Sequence, residues 1–308
     1  MKIVLGILLT LFLNASCNNV KQNDVNDSSV TEYEDVVTDN YELSKPSSNS
    51  NAVLILFGGF PENSETIKRE FKIMTFAQEN NVAVLYMNYN QKLWMSKEDK
   101  RALKEKVETI FVTNELSPKD VYIGGFSSGG NITLLLSDYL IASKSSIQPK
   151  GIFIIDSPVD LLELYRLSER NLERNFSEGS IQEATWLIDV FKSEFGKPED
   201  GIKSYESFSP YTSETGNISN LSKLDGLKIR FYSEPDTIWW KENRNNEPTD
   251  LNAHWIEKLA TQLKQELTNS SVEYITTENK GYRSNGDRHP HSWSIVDEKD
   301  LINWITIK

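Results

Sequence analysis

Hydrophobic positions along this chain fall into short continuous runs separated by stretches with helical spacing. Residues 52–57 (AVLILF) are apolar throughout, as a strand buried on both faces requires; runs at 82–87, 121–124 and 151–155 have the same character, and 227–232 (LKIRFY) and 272–276 (VEYIT) read as further strands with polar positions interspersed. Between them, residues 64–79, 96–115, 128–142 and 251–267 read as amphipathic helices. In the second of these, Leu103, Val107, Ile110 and Phe111 share one face. A last helix is expected around 295–305. Two alternating stretches, 33–38 and 41–44, predict an edge hairpin. Buried strands alternating with helices imply an α/β fold, a mostly parallel central sheet with helices on both faces.

Residues 158–222 interrupt this alternation. They contain helical patterns at 161–175 and 181–195 and no strand, and a structureless loop of that length is implausible inside a domain, so the segment is expected to be a helical cap insertion. The core is then assigned to 31–157 and 223–308.

Composition narrows the function. The 308 residues carry 33 Lys plus Arg against 45 Asp plus Glu, a net charge of −12 that repels nucleic-acid backbones and anionic lipid. One cysteine, Cys17, excludes an internal disulfide and a Cys-based zinc cluster. Three histidines limit the choice of a general base to His254, His289 and His291.

The amino terminus reads as an export signal, with Lys2 followed by an apolar run over 3–13 that is too short to span a bilayer. Leu13-Asn14-Ala15-Ser16-Cys17 resembles the lipobox of bacterial lipoproteins, although Asn14 holds the place where that pattern prefers Leu. The resemblance implies a signal over 1–17, lipidation of Cys17, a polar tether over 18–30, and an exported protein held to the cell envelope, periplasmic or at the surface, by its lipid alone.

The chemistry is concentrated in Gly125-Phe126-Ser127-Ser128-Gly129-Gly130, which follows a strand and opens a helix. A strand that reverses sharply into a helix brings backbone against the turn, so positions 125 and 129 must lack a Cβ. The hydroxyl at the apex is then lifted out of the sheet at a helix amino terminus. No Lys follows the glycines, so a phosphate-binding P-loop does not fit.

With this G-x-S-x-G turn, the body from residue 31 onward resembles the α/β-hydrolases, whose triad runs Ser, acid, His along the chain. The resemblance implies Ser127 as nucleophile and Asp236 as the acid, placed after the strand that follows the cap. It implies His291, in His289-Pro-His-Ser-Trp293, as the base. Glu234 is the second choice for the acid and Asp156 the third. Asp156 and Asp160 read more readily as caps of the first cap helix, and His254 as a helix-face residue. The oxyanion hole is expected from the amide of Ser128 and from Gly59 or Phe60 in the 57–60 loop, where Phe57 replaces the histidine of the lipase His-Gly-Gly-Gly form.

Trp239, Trp240 and His289 are candidate substrate contacts, whereas Arg283 and Arg288 read more readily as solvated loop residues. A serine esterase of this kind, acting on a small-molecule or carbohydrate ester, needs neither metal nor organic cofactor. A hydrolase-fold binding protein without activity, and a peptidase of the same fold, fit the same residues.

Overall fold

All six residues of Ala52–Phe57, Val82–Met87 and Val121–Phe126 are buried in a computed structural model of the protein, which describes residues 32–89 and 91–307. The expected lipobox, Cys17 and tether lie outside the described residues. Strands β1 (Tyr33–Val37) and β2 (Tyr41–Pro46) form the antiparallel hairpin. They are followed by β3 (Ala52–Phe57), β4 (Val82–Met87), β5 (Val121–Phe126), β6 (Pro149–Ile155), β7 (Lys228–Ser233) and β8 (Ser271–Thr276). The eight lie in the order β1-β2-β4-β3-β5-β6-β7-β8. Only the β1–β2 and β2–β4 pairings are antiparallel.

Helices connect the strands as the pattern anticipates, with two differences in detail. The stretch expected as one helix is two, α1 (Ser64–Glu70) and α2 (Met74–Glu79). Phe71 leaves the first in extended backbone and stacks on Trp293, with ring centroids 4.8 Å apart. The chain continues through α3 (Lys97–Thr113), whose Ser96 and Asp99 form a capping box, and α4 (Ser128–Ala142).

Between β6 and β7 come α5 (Leu161–Arg174), α6 (Glu178–Phe195) and the short α7 (Lys203–Phe208). They share an apolar cluster of their own, including Leu162, Tyr165, Phe191 and Tyr205. Asp160 caps α5 by accepting from Leu162 N and Glu163 N, as expected of that position. After β7 come α8 (Thr237–Arg244), not anticipated from the pattern, α9 (Asn252–Glu266) and α10 (Glu298–Thr306). Among the described residues no helix is long and apolar enough to cross a membrane.

The two faces of the sheet have separate cores. One packs α3, α4 and α9 against β3, β5 and β7 through residues such as Val107, Leu135 and Ile256. The other packs α1, α2 and α10 through Ile67, Ala77 and Leu301. Parallel strands whose exit loops gather at one end of the sheet place residues 58–60, 127, 156, 234–236 and 277–291 in one neighbourhood.

Candidate active site

The backbone at the end of β5 is forced into an unusual shape. Ser127 has φ 53° and ψ −126°, a positive-φ conformation that costs a non-glycine residue about 1–3 kcal/mol. A Cβ on Gly125 would lie 2.1 Å from the carbonyl oxygen of Gly129, and one on Gly129 would lie 2.4 Å from that of Phe57. Both contacts are with backbone, so neither position tolerates a side chain. Ser127 N–H donates to Ile155 O at 2.8 Å, and Asp156 N–H to Tyr232 O at 2.8 Å. These bonds extend the ladder one residue past each strand and hold the exits of β5, β6 and β7 in register.

Asp156 lies at the end of β6, the sheet neighbour of β5, and is buried with φ 42°. Its Oδ2 accepts a 2.6 Å hydrogen bond from His291 Nδ1. A carboxylate can only accept, so Nδ1 is the donor, and in the neutral ring this tautomer leaves the lone pair on Nε2. The His291 ring packs on Phe126, the residue before Ser127, with centroids 4.4 Å apart. Ser127 and His291 together line a cavity of about 320 Å³ under the cap helices and a cleft of about 270 Å³ beside α1.

The expected pairing of Asp236 with His291 is therefore corrected: Asp156 is the carboxylate on the imidazole. Asp236 instead caps α8, accepting from Trp239 N at 2.9 Å, and receives Arg288 Nη2 at 2.7 Å. The second choice, Glu234, is also engaged elsewhere. Its Oε1 pairs with Arg288, and its Oε2 accepts from Thr277 Oγ1, Lys280 N and Gly281 N at 2.9–3.0 Å. Arg288 Nη1 also donates to Gly281 O at 2.7 Å. The two carboxylates after β7 thus hold the loop that carries His291 and leave its ring to Asp156. Sequence reasoning ranked Asp156 third. The available signal was its position directly at the exit of the strand next to the elbow.

The expected oxyanion loop needs a second correction. Gly59 N–H is taken by Glu62 Oε2 at 2.9 Å, the same oxygen that accepts Trp293 Nε1 at 3.0 Å, so Gly59 is not a free donor. Burial pushes the Glu62 carboxyl above its ordinary range, opposed by these two bonds. Among the described residues Phe60 N–H has no acceptor, and Ser128 N–H belongs to the first turn of α4, where helix geometry leaves donors unpaired.

Of the three candidate substrate contacts, Trp240 and His289 line the larger cavity. Trp239 stands behind them, packed on Trp240 at 5.1 Å and on His289 at 4.6 Å. His254 lies on α9 against Trp255 and lines neither space. His289 Nδ1 accepts His291 N–H at 3.2 Å.

The pKa of His289 is lowered from 6.5 to about 3, first by burial, then by the nearby charges of His291, Arg283 and Arg244. The unfolded chain takes up this proton below pH 6.5 while the folded ring refuses it until about pH 3. The stability contributed by the packed neutral ring is thus complete above pH 6.5 and lost as pH falls through that window. Urea midpoints should accordingly fall more steeply between pH 6.5 and 4 in the wild type than in His289→Gln. Equal slopes would contradict this reading.

Comparison with solved structures finds the same architecture in several proteins. One is an esterase from the bacterial hormone-sensitive lipase (HSL) family, 13% identical over 90% of this chain and 83% of that one, with a TM-score of 0.53. A second is carboxyl esterase 2 from the mycorrhizal fungus Tuber melanosporum, 16% identical over 93% and 87%, with a TM-score of 0.53. A third is a fluorophosphonate-binding serine hydrolase F of Staphylococcus aureus, 14% identical over 90% and 99%, with a TM-score of 0.50. No protein-family profile and no curated protein matches the sequence. At these identities the likeness is one of fold, and the chain has the α/β-hydrolase fold.

Proposed function

We propose that the protein is a serine hydrolase that cleaves a carboxylic ester through a covalent acyl-enzyme. The observation that carries this reading is the His291–Asp156 hydrogen bond on the wall of the cavity that also contains Ser127. In the proposed reaction His291 Nε2 takes the proton of Ser127 Oγ as the oxygen attacks the ester carbonyl, and the positive charge formed on the ring is stabilised by Asp156. The amides of Ser128 and Phe60 receive the developing oxyanion, a contribution of about 3 kcal/mol for each donor. The imidazolium then returns its proton to the departing alcohol, and a water molecule, activated by the same ring, releases the acid and restores Ser127.

Support for an ester over a peptide comes from the shape of the site. The cap covers the cavity through α5 and α6, and Phe60 of the β3 exit loop packs on Trp186 of α6 with centroids 5.0 Å apart. Such a pocket takes a compact group more readily than an extended chain. The esterases and the serine hydrolase that share the fold are consistent with this choice. The proposed setting is the cell envelope, with the catalytic body tethered by lipid at Cys17.

A panel of p-nitrophenyl esters of increasing acyl length, run beside p-nitroanilides of peptides, tests the proposal. Hydrolysis of short-chain esters at least about a hundredfold faster than of any anilide is expected, since the covered pocket favours the small acyl group. Cleavage of the anilides alone would identify a peptidase, and no turnover of either would favour a binding protein.

A further inference from the structure

The two spaces flanking Ser127 share four wall residues: Phe60, Ser127, His291 and Arg283. Arg283 is the charged member of this shared wall, and its charge is not spent within the protein. Other ionic groups around the larger cavity have counter-ions: Asp250 with Arg170 and Arg174 at 3.0 and 2.7 Å, and Glu183 with Arg244 at 3.4 Å. In the cleft, Glu70 pairs with Arg69 at 2.9 Å. Among the described residues Arg283 has no ion pair, although carboxylates outnumber cationic side chains by 45 to 33 in the whole chain.

The backbone at Arg283 is fixed, and its side chain is exposed at the rim that the two spaces share. Its backbone closes a turn, with Arg283 N–H donating to Asp287 O and Gly286 N–H to Arg283 O, each at 2.9 Å. On one side Ser284 is bound to Glu70 through both N–H and Oγ. On the other, Arg288 is clamped by Glu234 and Asp236. Arg283 lines the same cavity as His289, whose pKa is lowered first by burial and to a lesser extent by the nearby charges of His291, Arg283 and Arg244.

We propose that Arg283 is an anion-recognition residue and that the substrate is an ester bearing a carboxylate or equivalent negative group close to its scissile bond. This deepens the esterase reading and rests on it. A guanidinium facing a carboxylate gives a charge-assisted hydrogen bond, and because Arg283 is exposed to solvent the gain is modest and screened by salt. The net charge of −12 makes the expectation distinctive, because the protein as a whole repels anions and only a local cation can reverse that preference.

The test uses two matched substrate pairs, one charged on the acyl side and one on the alcohol side. They are mono-p-nitrophenyl glutarate against p-nitrophenyl pentanoate, and 4-acetoxybenzoate against 4-acetoxybenzamide. In at least one pair the wild type should favour the anion in kcat/KM by about tenfold, an advantage that shrinks with added salt and is lost in Arg283→Gln. Arg101→Gln, an exposed residue of α3 that lines neither space, removes the same charge and should keep the preference.

Equal or lower turnover of the anion in both pairs, or a preference that survives Arg283→Gln, overturns the inference while leaving the esterase reading intact. Should no ester be turned over, that reading fails, and calorimetric titration with glutarate then decides separately. Binding that Arg283→Gln abolishes supports the anion site, and absence of binding to the wild type overturns it.

Discussion

Ser127→Ala is expected to lower kcat for the best p-nitrophenyl ester by about 10⁴-fold or more while leaving the urea midpoint close to that of the wild type. The loss is large because the residue supplies the atom that becomes acylated. What remains is catalysis by the oxyanion donors and by substrate positioning alone. The stability expectation follows from the local geometry. The strain at φ 53° belongs to the backbone, and alanine keeps the Ser127 N–H bond to Ile155 O and the Ser127 carbonyl bond from Gly130 N–H. Steady-state kinetics together with a urea titration check both parts. Unchanged turnover in the alanine variant would remove Ser127 from the reaction.

The second large effect separates two carboxylates. Asp156→Asn should reduce kcat by about 10³ to 10⁴-fold, because an amide can offer Nδ2–H to the imidazole and stabilise the wrong tautomer, and because it carries no charge to balance the imidazolium. Asp236→Asn should cost less than about tenfold, since Asp236 does not touch the imidazole: the amide oxygen can still accept from Trp239 N, and Arg288, which loses its bond to Oδ2, stays held by Glu234. The comparison is read in kcat at saturating ester, with circular dichroism confirming that both variants are folded. The reverse order of effects would return the acid role to Asp236.

These two aspartates also mark how far the sequence could be read. The architecture was legible because its signals are local. Six strand-like runs, four of them apolar throughout, with helical spacers define the parallel part of the sheet, and Gly125 and Gly129 around Ser127 announce a turn that only glycine permits. His291 follows from having only three histidines to choose among. Which acid meets His291 is a non-local question, decided by where a loop 135 residues away folds back. Asp236 and Asp156 both follow strands, so spacing does not rank them. What diverts Asp236 is Arg288, a residue that reads in sequence as a solvated loop arginine.

The amide of Gly59 was misjudged for the same kind of reason. A Gly-Phe-Pro-Glu turn brings Glu62 back onto it, with Glu62 N–H donating to Gly59 O at 2.6 Å. The break between α1 and α2 arises from tertiary packing, since Phe71 is drawn under Trp293 from the far end of the chain. Helix α8 escaped notice because none of its eight residues is buried, so no apolar face marks it.

The central claim is that the hydroxyl of Ser127 is activated by His291. The measurement that reaches it most directly is peptide mapping by mass spectrometry after brief exposure of the folded protein to a fluorophosphonate. The account predicts one adduct, on Ser127, formed rapidly in the wild type and at least about a thousandfold more slowly in His291→Ala. An adduct on another residue, no adduct, or equal labelling of the two proteins would contradict it.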